Sequence, residues 1–183
     1  SPLGYKTEEV TFTNQKAHVS LAGTLTYPVN YTPDKKVPVV IMVTGSGAQN
    51  RDEEVFAHKP FRVIADYLAK QGIASLRYDD RGVGQSTGNQ AGCTSADFAE
   101  DAACGLSWLK SSGKFNQVGI LGHSEGGLIA FMLGAEGKAD FLVSMAGPGI
   151  KGDSLLVEQQ NALFKLKGIP SNVSVSTLRK SMA

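Results

Sequence analysis

The chain has 183 residues, 42% hydrophobic and 19% charged, with a formal net charge of +1. That length suits one domain with a buried core. The near-neutral balance gives no reason to expect nucleic acid or an anionic membrane as partner, and the longest apolar runs, such as residues 37–43, fall far short of a membrane span.

In chain order, residues 5–12 and 19–27 alternate in the strand manner around a turn at Asn14 and Gln15. They predict an antiparallel hairpin with one wet face. Residues 37–43 (VPVVIMV) form a continuous apolar run, as expected of a parallel strand buried on both faces. Residues 61–70 have helical spacing and stop at Gly72. A strand over 73–78 follows. Next comes a helix over about 95–111, with Thr94 or Ser95 as N-cap and Phe98, Ala102, Leu106 and Leu109 on one stripe. Cys93 and Cys104 sit at and inside this helix, where about 16 Å would separate their Cα atoms. That is beyond disulfide reach, so both read as free thiols.

Residues 118–121 predict a strand, 127–133 a helix and 141–146 a further strand. This βαβαβαβ order implies a mostly parallel sheet with helices on both faces. The chemistry of such sheets sits beyond the carboxyl ends of the strands. After Pro148 the pattern changes. Residues 153–167 read as an amphipathic helix through Leu155, Leu156, Leu163 and Leu166, and a second helix is expected from about 174 to 183. The expected division is a core over 1–148 and a helical cap or lid segment over 149–183.

Three glycine-rich turns end three of the strands. The third, Gly122-His123-Ser124-Glu125-Gly126, has the Gly-x-Ser-x-Gly pattern between a strand and a helix. In that context the pattern makes a nucleophile elbow, with Ser124 held out over the sheet and Gly122 and Gly126 removing clashes in a sharp turn. Acyl transfer also needs backbone N–H donors aimed at the developing oxyanion. The N–H of Glu125 at a helix N-terminus is one candidate, and the N–H of Ser46, in the turn Thr44-Gly45-Ser46-Gly47, is the other.

Around these turns, the segment from Asp79 to Ser86 reads as structural, with Asp80 and Arg81 tying down a turn that Gly82 and Gly84 permit. Arg51, Asp52 and Glu53 read as a loop-fixing ion-pair cluster, with substrate contact as the alternative. No histidine follows Ser124. His123 is a poor base because adjacent side chains diverge, and His18 lies on the hairpin. His58, after the Thr44 turn, is the one histidine kept as a candidate base. Trp108, Phe98 and Tyr67 lie on helical stripes and read as core. No Cys/His spacing suggests zinc, and no Lys-[Ser/Thr] phosphate loop occurs, so no metal or cofactor is expected.

These motifs resemble the α/β-hydrolase superfamily, and within it bacterial serine esterases of the dienelactone-hydrolase-like group. The matching residues are Val43-Thr44-Gly45-Ser46-Gly47-Ala48-Gln49-Asn50-Arg51-Asp52-Glu53, then residues 76–86 (LRYDDRGVGQS), then Gly122-His123-Ser124-Glu125-Gly126-Gly127, with Ala146-Gly147-Pro148-Gly149 also fitting. The resemblance covers nearly the whole chain from about Val10. Thr44 stands where the family usually has His, a change that a backbone donor tolerates.

The resemblance implies a Ser-Asp/Glu-His triad whose acid and histidine follow the serine. The expectation is therefore an amino-terminal portion of a longer hydrolase: a truncation, a fragment, or one chain of a nicked protein whose carboxyl-terminal remainder is a partner. Such a protein would cleave a small-molecule ester through Ser124, and this chain alone would be largely inactive. The alternatives are a peptidase or thioesterase of the same superfamily, or a non-catalytic binding protein that uses an exposed sheet edge. Since the chain opens on Ser1 rather than Met, an exported, signal-processed origin and a cytoplasmic one both stay open.

Overall fold

The computed structural model describes residues 4–44, 50–52, 60–123, 125–145, 154–159 and 162–167. Its frame is a six-stranded sheet. In chain order the strands are β1 (Thr7–Asn14), β2 (Val19–Thr26), β3 (Val37–Val43), β4 (Ala74–Tyr78), β5 (Phe115–His123) and β6 (Leu142–Met145). In space they run β1-β2-β4-β3-β5-β6. The β1–β2 hairpin joins β4 antiparallel, while β4, β3, β5 and β6 are mutually parallel.

Three helices cover the sheet: α1 (Pro60–Lys70), α2 (Ser95–Ser111) and α3 (Glu125–Ala135). The two-residue alternation of β3 shows why its sequence is apolar throughout. Val39, Ile41 and Val43 point into a core shared with Leu106 and Leu109 of α2 and Ile129 and Leu133 of α3. Val40 and Met42 point the other way, onto Phe61, Ile64 and Leu68 of α1. A strand covered on both faces needs apolar residues at both parities.

At the start of α2, the Thr94 N–H donates to the Asp97 carboxylate at 2.7 Å, which satisfies one of the donors a helix N-terminus leaves open. Phe98 and Trp108 pack on the larger core and Tyr67 on the smaller one, in keeping with their helical stripes. Cys93 and Cys104 are both free.

Where a helix is expected over 153–167, the described backbone forms two strands, β7 (Ser154–Gln159) and β8 (Ala162–Lys167), paired antiparallel in a sheet of their own. The register pairs Leu155 with Leu166 and Val157 with Phe164. Those four apolar residues are spaced two apart on each side of a short connection, so the same leucines that satisfy a period of 3.6 also satisfy a period of 2. β-branched Val157 and aromatic Phe164 favour the extended form. The helical cap expected there is thus a hairpin over these residues. The helix expected from 174 lies outside the described residues.

Candidate active site

The turns singled out in the sequence converge because the parallel strands end level. Register places Met42 beside Arg77 and Val43 beside Gly122, so β3, β4 and β5 deliver their following turns to one edge.

At the end of β5 the chain reverses into α3 within one residue, since β5 closes at His123 and α3 opens at Glu125. So sharp a turn presses backbone on backbone. A Cβ on Gly122 would overlap the Gly126 carbonyl, and one on Gly126 would overlap the Val43 carbonyl and lie 2.6 Å from the Thr44 oxygen. Both glycines are therefore required by close approach, and α3 is seated directly on the end of β3. The Glu125 N–H lies in the first turn of α3, where helix N–H groups lack internal partners and carry partial positive charge. Ser124 and Ser46 lie outside the described residues, as do His58 and the segment 146–149.

Charged and hydroxyl groups fix the flanks of the Thr44 turn. Thr44, buried at the end of β3, donates its hydroxyl to both carboxylate oxygens of Asp80, each at 2.9 Å. At the far end of the turn, the Arg51 backbone N–H donates to Asp79 at 2.8 Å, and the Arg51 guanidinium donates to the same carboxylate at 3.3 and 3.1 Å. Arg51 also pairs with Glu9 on β1, and Asp52 pairs with Arg77 on β4. Arg51 and Asp52 thus make the ion pairs expected of the Arg51, Asp52 and Glu53 cluster, while Glu53 lies outside the described residues.

Asp79 also accepts the Gln85 N–H at 3.1 Å, while Ser86 donates to the Asp79 carbonyl at 2.6 Å. Burial alone would raise the Asp79 carboxyl, but the bonds from Arg51 and from the Gln85 and Arg51 N–H groups outweigh it and hold its pKa below the ordinary value. Gly84 (φ 53) lets this happen, because a Cβ there would lie 2.5 Å from the Asp79 carboxylate.

One cluster was invisible in the sequence. Arg81 grips Asp101 of α2 with Nε and Nη2, both at 2.7 Å, and Asn14 of β1 donates to the same carboxylate at 2.8 Å. These buried groups tie the turn after β4 to α2 and to the sheet edge. Nothing in the spacing of residues 14, 81 and 101 signals that they meet. His18 occupies the β1–β2 turn (φ 56), with β2 and β4 between it and β3. Among the described residues no group of three or more His, Cys, Asp or Glu could hold a metal ion, and no helix is long and apolar enough to cross a membrane.

Known proteins resemble this chain in sequence and in fold. Residues 58–176 match the sequence family described as "Serine aminopeptidase, S33". Esterase EstD of Thermotoga maritima is 31% identical over 153 residues, which cover 84% of this chain and 36% of that protein. Among solved structures, the Pyrococcus furiosus esterase Pf2001 superposes with a TM-score of 0.57 at 26% identity, covering 72% of this chain and 48% of that one. Hypothetical protein PA2218 of Pseudomonas aeruginosa shares the fold, with a TM-score of 0.63 at 20% identity over 77% of this chain and 42% of that one. The chain therefore spans less than half the length of each of these relatives.

Proposed function

The chain belongs to the α/β-hydrolase family described as serine aminopeptidase, S33, and from that premise we propose that the protein hydrolyses carboxylic esters through an acyl-enzyme on Ser124. The observation that carries the reading is the packing of the elbow: Gly122 against Gly126, and Gly126 against the last carbonyls of β3. A turn this tight between strand and helix is what presents a serine hydroxyl above a sheet. In this reading the Glu125 N–H, in the first turn of α3 at the positive end of the helix, would be one of the two oxyanion donors.

In this mechanism Ser124 Oγ attacks the ester carbonyl carbon and gives its proton to a base. The negative charge gathers on the former carbonyl oxygen, where the Glu125 and Ser46 N–H groups receive it. The tetrahedral adduct collapses with loss of the alcohol, which takes up the proton. Water then attacks the acyl-serine by the same route, releasing the acid and restoring Ser124. We assign the base to a histidine, oriented by a carboxylate, on a segment outside these 183 residues. In support, no histidine follows Ser124 in the sequence, and the chain spans 36% of its Thermotoga relative. Thr44, Asp80, Arg51 and Asp79 would act at one remove, by fixing both flanks of the turn that carries Ser46.

An esterase is preferred over a peptidase because the 31% identical relative is named an esterase. The family description keeps aminopeptidase activity as the second reading, since one elbow serves both acyl transfers. Assays of p-nitrophenyl butyrate and of an aminoacyl p-nitroanilide separate the two. With the full-length protein, ester turnover that falls by at least about 10³-fold in Ser124→Ala is expected. Turnover unchanged in that variant would end the proposal. With this chain alone, activity at ordinary enzyme rates would show that the base lies within it, and His58→Ala would then be the decisive variant.

A further inference from the structure

A cavity of about 320 Å³ opens on the α1 face of the sheet, between β1, β2, β4 and α1. Alternation along β4 sends Ala74, Leu76 and Tyr78 into the core beneath α2 and leaves Arg77 on the opposite face, in the cavity wall. There Arg77 is 8% exposed and neighbouring Thr26 is 1% exposed. Arg77 reaches Asp52 through Nη1, but among the described residues its Nε has no hydrogen-bond partner, and neither has the hydroxyl of Thr26.

Three arginines line this cavity, Arg51, Arg62 and Arg77, against the carboxylates of Glu9 and Asp52. Glu9 is engaged by Arg51 and Thr24, and Asp52 by Arg77. Exposed Arg62 makes no ion pair among the described residues. Burial lowers the Arg77 pKa; Asp52 opposes that shift, while the Arg51 and Arg62 cations add to it. A cation desolvated with donors to spare, next to a second cation that has no counter-ion among the described residues, is stabilised by an anion that meets both.

We propose that this cavity binds a small oxyanion, a carboxylate or phosphate group, between Arg62 at its mouth and Arg77 in its wall. The guanidinium fork suits either group, since two parallel N–H bonds meet two oxygens. The site lies apart from the elbow, yet it shares Arg51 and Asp52 with the anchor at residues 50–52. An anion that draws on Arg77 therefore competes with Asp52 for it, and occupancy is linked to how firmly that segment is held.

Titration of inorganic phosphate into the intact protein at constant ionic strength is expected to saturate and to move the Arg77 Nε–H resonance. Arg62→Gln, an exposed change that leaves the core untouched, is expected to raise the dissociation constant about tenfold. Arg77→Met is expected to abolish binding. Glycerol phosphate serves as the second ligand: tighter binding than phosphate identifies the anion as part of a larger molecule, and weaker binding identifies a free-ion site. Shifts that fail to saturate and are reproduced by sodium chloride would overturn the proposal. So would equal affinity of wild type and Arg62→Gln, whether or not the Arg77 variant folds.

Discussion

The turn after β4 and the turn after β5 meet at the same edge of the sheet, yet opposite means hold them. The β4 turn is a lattice of charges: Asp79 on Arg51 and the Gln85 N–H, Asp80 on Thr44, Arg81 on Asp101. The β5 turn is held by the absence of side chains, with Gly122 against Gly126 and Gly126 against β3. The difference follows from what each turn must leave room for. In the proposed function the β5 turn carries the nucleophile, which calls for open space above it and close backbone packing below. A turn that braces its neighbours needs long polar arms. Steric fixing tolerates no change in size, whereas polar fixing depends on protonation and on each partner separately.

Variants can test that contrast. The largest effect is expected from Gly122→Val, whose side chain would occupy the space of the Gly126 carbonyl. A loss of at least about 3 kcal/mol in urea unfolding, or failure to fold, is expected. A variant as stable as the parent would show that the elbow relaxes freely and would erase the contrast. Asp79→Asn comes next, at about 2–3 kcal/mol. It leaves the Arg51 guanidinium without its buried anion, although Arg51 keeps Glu9 and some access to water. Thr44→Val is expected to cost about 1 kcal/mol, the size of a lost hydroxyl-to-carboxylate bond.

The sharpest test of the contrast is in pH. The folded state holds the Asp79 carboxyl below its unfolded value of about 4. Its contribution is therefore fully present above that value and is lost as pH falls through the lower folded pKa. Stability of wild type relative to Asp79→Asn should be flat from pH 7 to 5 and narrow on further acidification. Gly122 and Gly126 do not titrate, so their variants should show no such convergence. A wild-type advantage over Asp79→Asn that persists at pH 2 would mean that Asp79 acts through shape rather than charge.

Periodicity made most of the frame legible. The apolar run at 37–43 became the twice-covered β3, the stripe over 95–111 became α2, and the expected hairpin became β1 and β2, extended to Asn14. The glycine turns after β4 and β5 were legible because backbone close approach leaves a composition signature. Two kinds of feature were not. Residues 153–167 carry apolar positions that fit both periods, and local spacing alone favoured the helix over the observed hairpin. The Asn14–Arg81–Asp101 cluster joins three distant segments through side-chain geometry alone. Such long-range polar pairing has no local pattern to read.

The seating of α3 on β3 also orders events in time. The β1–β2 hairpin closes between neighbours in sequence, with Asn14 opposite Val19. The β3–β5 pairing instead brings Ile41 beside Ile120, with α1, β4 and α2 threaded between them. Closing a loop over that separation costs chain entropy before its contacts form, so such a pairing is intrinsically slow. Gly126 meets the Val43 and Thr44 carbonyls as part of that same closure. A chain that has folded its hairpin and α2 but not this pairing lacks the close approach of Gly126 to β3, so the seat of α3 is made only with the completed sheet.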